Sequence, residues 1–338
     1  MANIHYGDIL TIIGNTLDIS NFKLPFVKNA GREMFKQETL KNGDLIFADT
    51  AEDYTVGKST EIYNMGSSYV VSGLHTIACR PKNTFACGFL GYYTNSPAYR
   101  TQLLPLMQGI KVYSISKTNL GSTYITYPTV VEQQKIADFL SLVDERIEKQ
   151  RQLVEVLKRY KRGLLSLVFK GNFQMVKLAD ICDFVSSSHT ISNLGARESG
   201  IYPVYDAAGL SMYIDTYDMH EEYISIVKDG SGIGRLQKCD KNSSFIGTLG
   251  ALVAKNCEID YLFAVLQTID FSRFATGMAI PHIYYKDYKN TLIPLPSQDT
   301  QKNISRLFRN IDIHIEQNSI QLDNILVLKH GLLQQMFI

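Results

Sequence analysis

The sequence predicts an α+β fold in which two mixed, strand-rich globular domains alternate with two long helices. Two observations predict it. The 338-residue chain contains a long helical segment twice, starting at Pro128 and again at Pro296, and each copy follows a segment in which glycine and tyrosine punctuate short β-branched runs. With 45% hydrophobic and 20% charged residues, the chain can bury a sizeable core and form two or more domains, which excludes disordered and collagen-like classes.

The repeat divides the chain into four segments. We expect a first globular domain over 1–127, a first helical segment over 128–172, a second domain over 173–295 and a second helical segment over 296–338. The two globular segments are also weakly similar to each other, because matching residues recur near their ends at the same offset as the helical repeat. These pairs are Gly109 and Gly277, Ile115 and Ile283, Thr123 and Thr291, and Ile125 and Ile293.

The helical repeat is the strongest signal in the sequence. Residues 128–169 and 296–337 align without a gap and share eleven identities in 42 positions. Pro128 suits a first helical turn, and Thr129 with Glu132 has the spacing of a capping box. The identical pairs are Pro128/Pro296, Gln133/Gln301, Ile136/Ile304, Asp144/Asp312, Ile147/Ile315, Glu148/Glu316, Lys161/Lys329, Gly163/Gly331, Leu164/Leu332, Leu165/Leu333 and Phe169/Phe337.

Both helical copies carry the apolar period of a coiled coil. Steps of four and three residues from Ile136 and from Ile304 trace a seam that polar residues interrupt at the same two places, Gln150 with Asn318 and Lys161 with Lys329. Polar seam residues weaken packing but penalise wrong registers, so we assign these four to the register of the coiled coil. The alternative for the two lysines is a solvated turn.

The order of the segments predicts how the helices run. Because each helix must leave one globular domain and reach the other, the two helices should pack antiparallel and relate the halves by a pseudo-two-fold axis. A parallel pair would need a return connection as long as a helix.

Charge is distributed unevenly although the net charge is only +1. The stretch from Ile62 to Val131 contains neither Asp nor Glu, and it carries five cations and eight tyrosines. Such a surface suits a phosphate backbone and base edges, whereas the structural alternative is a sheet whose tyrosines are mostly core. The second globular segment is acidic, with 14 Asp and Glu against 10 Lys and Arg over 173–295, and only parts of it are basic.

Signatures of catalysis and metal binding are weak. Residues 57–60 (GKST) resemble the end of a phosphate-binding loop, but the glycine that this loop needs is Glu52 here. The seven histidines and five cysteines show no zinc-ligand spacing, so we predict reduced cysteines, no metal and no catalytic residue. The sequence has no secretion signal and no long apolar run, which predicts a cytoplasmic protein without membrane contact.

The helical segments resemble the conserved region of type I restriction-modification specificity subunits. The resemblance rests on Pro128, Glu132, Gln133, Ile136, Leu140, Asp144, Ile147, Gly163, Leu164, Leu165 and Phe169, and on Pro296, Gln301, Ile304, Asp312, Ile315, Gly331, Leu332, Leu333 and Phe337. It covers essentially the whole chain, because such subunits alternate two target recognition domains with two conserved spacer helices. Thr300 departs from the pattern, since it stands where Glu132 stands in the first copy.

The resemblance implies a non-catalytic specificity subunit that recognises double-stranded DNA. Each recognition domain would read one half of an asymmetric bipartite site, and the paired helices would set the unread gap. Two methyltransferase (modification) subunits would dock on this scaffold, and motor-nuclease (restriction) subunits would join for restriction. S-adenosylmethionine, ATP and Mg²⁺ would then belong to those partner subunits and not to this chain.

We predict twelve DNA-binding residues from charge, aromatic character and position. The loops that follow Gly109 and Gly277 are the preferred base-reading elements, because these glycines stand at matching places near the ends of the two domains. The predicted residues are Lys58, Arg80, Lys82, Lys111, Tyr113 and Lys117 in the first domain, and Lys228, Arg235, Lys238, His282, Tyr284 and Lys286 in the second.

Two other hypotheses fit the same fold. A coiled-coil scaffold could join two protein-binding or sugar-binding domains, with the tyrosines serving those ligands. A stand-alone enzyme with an unfamiliar site is also compatible with the composition. Gel shift against random duplex, alone and with a methyltransferase subunit, separates the scaffold from the DNA reader, and activity of the purified chain would favour the enzyme.

Overall fold

The computed structural model describes residues 2–26, 39–194 and 200–337, and it divides into two compact units. The first unit contains Met1–Gln152 and Ile320–Ile338, and the second contains Leu153–Ser319. Each unit therefore combines one strand-rich domain with a part of both long helices. The predicted α+β fold with its internal repeat is confirmed.

The first domain is built from short elements. Its strands are β1 (Ala2–Ile4), β2 (Thr16–Asp18), β3 (Leu45–Ala48), β4 (Thr50–Ala51), β5 (Ser59–Tyr63), β6 (Val70–Ser72), β7 (Thr76–Cys79) and β8 (Tyr113–Ser114). Its helices are α1 (Tyr6–Thr11), α2 (Phe89–Tyr93), α3 (Pro97–Leu103) and α4 (Lys117–Leu120), with a 3-10 turn at Leu104–Leu106.

A four-stranded sheet in the order β2-β5-β3-β7 forms the centre of this domain. β3 runs antiparallel to both β5 and β7, and every residue of β3 is buried, as expected of a central strand covered on both faces. The buried carboxylate of Glu61 on β5 accepts hydrogen bonds from the amides of Gly88 (2.8 Å) and Gly91 (2.9 Å), which fixes the start of α2. The pairs β1-β6 and β4-β8 form two separate two-stranded sheets.

The first long helix, α5 (Val130–Val168), is 39 residues long. Gln133 joins its start to the first domain, because the buried side-chain oxygen accepts from the Ala86 amide at 3.0 Å while its nitrogen donates to the Pro128 carbonyl at 2.9 Å. Gln301 repeats this arrangement in the second unit, with the Glu258 amide at 3.1 Å and the Pro296 carbonyl at 2.9 Å.

The second domain also contains a four-stranded sheet and short helices, and it adds a three-stranded sheet. Its strands are β9 (Met175–Lys177), β10 (Cys182–Ser186), β11 (Tyr202–Asp206), β12 (Gly209–Ile214), β13 (Tyr223–Val227), β14 (Leu236–Cys239), β15 (Ser244–Phe245), β16 (Leu249–Ala254) and β17 (Leu292–Pro294). Its helices are α6 (Leu178–Ile181), α7 (Ile191–Leu194), α8 (Ile259–Leu266) and α9 (Tyr285–Tyr288), with a 3-10 turn at Phe271–Phe274. The main sheet has the order β10-β16-β13-β14, a second sheet the order β12-β11-β15, and β9 pairs with β17.

The second long helix, α10 (Gln298–Met336), is also 39 residues long and runs antiparallel to α5 in both units. In the first unit, Asp144 pairs with Lys329 at 2.5 Å. In the second unit, Lys161 pairs with Asp312 at 2.6 Å, and Phe169 stacks on Phe308. Because the partner number falls as the α5 number rises, the predicted antiparallel packing is confirmed.

The coiled-coil seam appears where the period places it. Every seam position from Ile136 to Val168 and from Ile304 to Met336 is buried or half-buried. Leu140 and Leu333 join the core of the first domain, and Leu165 and Phe308 join the core of the second. The apolar faces of the helices therefore complete the cores of the domains that they contact.

Candidate nucleic-acid interface

Two loops at matching places carry the candidate interface: the first loop is 108–114 and the second loop is 276–282. Backbone hydrogen bonds close the first loop between Gln108 and Ser114, at 2.9 and 2.8 Å. The same pair of bonds closes the second loop between Thr276 and His282, at 2.8 and 2.7 Å. The two pairs are separated in sequence by the same offset as the helical copies, so the repeat extends from the helices to these loops.

A glycine opens the turn of each loop. Gly109 has φ +126° and Gly277 has φ +92°, a region that L side chains rarely adopt. An added Cβ at Gly109 would overlap the carbonyl oxygen of Val112, and one at Gly277 would overlap that of Ile280. These contacts explain why glycine stands at both positions.

The residue after each loop is also hydrogen-bonded to the residue that directly follows a strand of its own domain, β3 in the first and β13 in the second. The Ile115 amide donates to the Asp49 carbonyl at 2.9 Å, and the Ile283 amide donates to the Lys228 carbonyl at 2.9 Å. A short helix follows each loop, α4 after Ser116 and α9 after Tyr284. These contacts hold the C-terminal side of each loop against its domain.

In the first domain, Lys111, Tyr113 and Lys117 of the predicted set lie together on the first loop and at the start of α4. The two lysines are exposed and have no ion-pair partner within the described part of the chain. Tyr113 is half-buried and its ring lies 4.8 Å from that of Tyr54. This corner presents cations beside an aromatic pair, a combination that suits phosphates and bases.

The other three predicted residues of the first domain belong to other segments of the chain. Lys58 is half-buried and donates to the Leu10 carbonyl at 3.1 Å, and burial, with Lys329 nearby, lowers its pKa. Arg80 makes a bidentate pair with the buried Asp44, at 2.8 and 2.6 Å. Lys82 is exposed. The pairings of Lys58 and Arg80 account for these side chains within the fold, and their role toward DNA stays a prediction.

In the second domain, His282, Tyr284 and Lys286 lie on the second loop and at the start of α9. His282 Nδ1 lies 2.6 Å from Asp229 Oδ1, which joins the loop to the turn after β13. Lys286 Nζ lies 5.4 Å from the centre of the exposed Tyr284 ring. The arrangement again places a cation beside an aromatic ring next to the loop.

The turn after β13 brings two more predicted residues close to the second loop. The backbone carbonyl of Lys228 accepts a hydrogen bond from the Ile283 amide. The Gly230 amide donates to the Pro281 carbonyl at 3.0 Å. Arg235 closes the same turn and donates to the Ala207 carbonyl at 3.1 Å. Lys238 lies elsewhere, because it pairs with the largely buried Asp260, which Arg309 of α10 also binds.

The four register residues lie in the seam. Gln150 is buried and Asn318 is half-buried. Lys161 and Lys329 are 13% and 18% exposed, and each pairs with the aspartate of the other helix copy. The lysines are therefore bound and not solvated, while their effect on register stays a prediction.

Sequence reasoning missed two features of the site. The residues after the loop glycines, Ile110 and Met278, are fully or almost fully exposed. The partners of the seam lysines, Asp144 and Asp312, were visible only as an identical pair in the repeat. The internal repeat could have indicated both features, because it aligns Ile110 with Met278 and Asp144 with Asp312.

Comparison with known proteins decides the family. The model of the type I restriction modification DNA specificity domain matches residues 4–159 and again residues 170–324. The chain belongs to this family. Both halves are thus specificity domains, as the internal repeat predicts.

Relatives of this family share part of the sequence. A putative type I restriction enzyme MjaX specificity subunit of Methanocaldococcus jannaschii is 28% identical over 169 residues, which cover 49% of this chain and 39% of the relative. The EcoKI specificity subunit of Escherichia coli is 27% identical over 96 residues, which cover 27% of this chain and 21% of that protein. The matches thus span less than half the length of these relatives.

Solved structures support the fold. The type I restriction-modification S subunit of M. genitalium matches with a TM-score of 0.58 and 17% identity, and the match covers 100% of this chain and 92% of that one. A chain from a structure of type I R-M complex assembly and conformational transition matches with a TM-score of 0.55 and 17% identity, covering 94% and 89%.

Two other kinds of feature are absent from the described residues. No group of three or more His, Cys, Asp or Glu side chains there could hold a metal ion. Over the same ranges, no helix has the length and apolar character needed to cross a bilayer.

Proposed function

We propose that this chain is the DNA-reading specificity subunit of a type I restriction-modification complex and that each unit reads one half of a bipartite, asymmetric site. One observation carries the proposal: two specificity domains present the same glycine-opened loop, each with exposed cations and a tyrosine beside it. The cations would bind phosphates and the loops would reach base edges.

We propose that only some of the twelve predicted residues contact DNA directly. Lys111, Tyr113 and Lys117 on one side and Lys228, Arg235, His282, Tyr284 and Lys286 on the other form two groups around the loops. Lys82 is exposed but belongs to neither loop, and Lys58, Arg80 and Lys238 are engaged within the fold. The last three would contribute to DNA binding mainly by supporting the domain.

The proposal gives the chemistry to other subunits. This chain would be non-catalytic, and S-adenosylmethionine, ATP and Mg²⁺ would bind in two methyltransferase subunits and in motor-nuclease subunits. Exposed apolar side chains on the long helices support docking of such partners, since matching positions of the two copies, Phe139 and Leu307, are both solvent-exposed. The subunit would act in the compartment that holds the DNA.

Methylation mapping in the source organism tests the proposal. Genomic adenine methylation should occur at a split motif, and it should vanish when this chain is deleted and return when the chain is restored. Gel shift with random duplex and with duplex bearing the motif, with and without the methyltransferase subunit, should show preference for the motif. A chain that assembles with protein or sugar ligands but never with DNA would instead be the scaffold considered above.

A further inference from the structure

An aliphatic side chain projects from each loop. Ile110 is 93% exposed and Met278 is fully exposed, and both follow the loop glycine at positions that the internal repeat aligns. Val112 and Ile280, each two residues after the tip residue, are exposed as well. Although the loops differ in sequence, both present two aliphatic side chains to water at the same two places.

The backbone under these side chains is fixed. Two hydrogen bonds close each loop, and a third ties the residue after it, Ile115 or Ile283, to the residue that directly follows a strand of the domain. The left-handed glycine directly before each tip residue sets the direction of the turn. The tip side chains are therefore presented by a preorganised backbone, which lowers the entropy cost of inserting them into a partner.

The surroundings of the tips favour a polyanion as that partner. Lys111 is adjacent to Ile110, and Lys117 begins the helix that follows the first loop. Near Met278, His282 closes the loop and pairs with Asp229, and α9 carries Lys286 beside one exposed acid, Asp287. An apolar wedge flanked by cations fits a duplex, whose phosphates surround a stack of apolar base faces.

We infer that Ile110 and Met278 are wedge residues that enter the base stack, one in each half-site, and open one base step there. The inference rests on the proposed function and adds a mode of readout to it. Opening a step costs least at flexible steps, so the wedge would select a deformable sequence without a hydrogen bond to a base. The flanking lysines would hold the phosphates on either side of the opened step.

The test uses the complex of this chain with its methyltransferase subunits and duplexes that carry the mapped motif. 2-Aminopurine placed at successive positions should brighten on binding at one step in each half-site. Ile110→Ser should abolish the signal in one half-site and Met278→Ser in the other. Each change should weaken binding about ten- to a hundredfold, because it removes the burial of an aliphatic side chain, and leave the salt dependence unchanged.

Matched controls are Ile12→Ser in the first unit and Ile201→Ser in the second, since both residues are exposed and lie outside the loops. They should leave affinity and fluorescence unchanged. A signal that persists in both wedge variants comes from the methyltransferase subunits and contradicts the inference. If the wedge variants keep the affinity and the fluorescence of the wild type, the inference is wrong. It is also wrong if the variants lose subunit assembly but bind DNA normally. If the wild-type complex shows no preference for the mapped motif, the proposed function itself fails.

Discussion

Lys111 shows how one exposed cation on a rigid loop should act on DNA. Because it would contact a phosphate and no base, Lys111→Ala should weaken binding to all sequences alike and lower the slope of log affinity against log salt by about one. Fluorescence anisotropy with motif and random duplex over a range of salt concentrations measures both effects. Lys23→Ala, which removes an exposed lysine outside the loop, is the control. A change in sequence preference would contradict a phosphate contact.

Asp260 makes stability depend on pH. Burial opposes its ionisation, but hydrogen bonds from Lys238 and Arg309 outweigh burial and hold the pKa of this carboxyl below its ordinary value. A carboxyl whose pKa is lower in the folded state stabilises the fold above its unfolded-state pKa, about 3.9, and loses this effect as the pH falls toward the folded value.

Asp260→Asn should therefore cost about 1 to 3 kcal/mol of unfolding free energy at pH 7, because two cations lose their shared carboxylate. The difference from wild type should shrink as the pH falls below about 4. Denaturant unfolding at several pH values measures it. Asp183→Asn is the control, since the 3.6 Å pair of Asp183 with Lys255 is exposed and worth little. A difference that is constant with pH would show that the charge of Asp260 contributes no stability.

The two long helices are joined by a repeated contact. Asp144 of α5 pairs with Lys329 of α10. At the equivalent positions of the repeat, Lys161 of α5 pairs with Asp312 of α10. Each lysine also lies 5.8 Å from an aromatic ring of the adjoining domain, Tyr92 in one unit and Phe263 in the other. These pairs join both helices to a domain in each unit, which suits a role in fixing register.

A double-mutant cycle with Asp144→Asn and Lys329→Met should give a coupling energy of about 1 to 2 kcal/mol, because both side chains are partly shielded from water. The introduced amide would keep an oxygen to accept from the Tyr92 hydroxyl, which lies 3.0 Å from the Asp144 carboxylate. Thermal or denaturant unfolding of the four proteins measures the coupling. A matching cycle on the exposed pair of Glu145 and Lys149 should give a coupling energy of about 0.5 kcal/mol or less. Equal coupling in both cycles would rule out a special role for the seam pair.

The sequence predicted the two long helices in detail, but for the globular segments it predicted only that they are strand-rich, for a physical reason. A seam repeated over many turns is a local pattern. The partners of the surface cations are not local. Arg80 pairs with Asp44 across 36 residues and Lys238 with Asp260 across 22, so charge alone could not tell these cations from the free ones at the loops.

The loops could be located but not described from the sequence. The matching glycines at 109 and 277 indicated equivalent turns, and the structure shows equivalent hydrogen bonds around both. The exposure of Ile110 and Met278 depends on the whole fold, since an aliphatic residue in a sequence is more often expected to be buried. The internal repeat predicted more of this structure than composition did. The second domain is acidic and the first is not, so their compositions do not indicate that the two domains are related.

Two similar halves with separate cores predict that the two halves of the recognised motif can be changed independently. Tyr113 and His282 are predicted DNA-binding residues of the first and the second loop, one in each unit. Tyr113→Ala should relax the methylated motif in one half only, and His282→Ala in the other half only. The double variant should show both changes, with additive losses of discrimination, since the two residues belong to different units that would read different half-sites.

Methylation mapping in cells that carry each variant in place of the wild-type chain measures the outcome. The loss at each affected position should be about 1 to 3 kcal/mol, the cost of one mismatched base pair. Ser122→Ala, outside both loops, should leave the motif as it is. If either single variant relaxes both halves, the two units do not read separately, and the duplication would then serve assembly of the chain and not the division of its site.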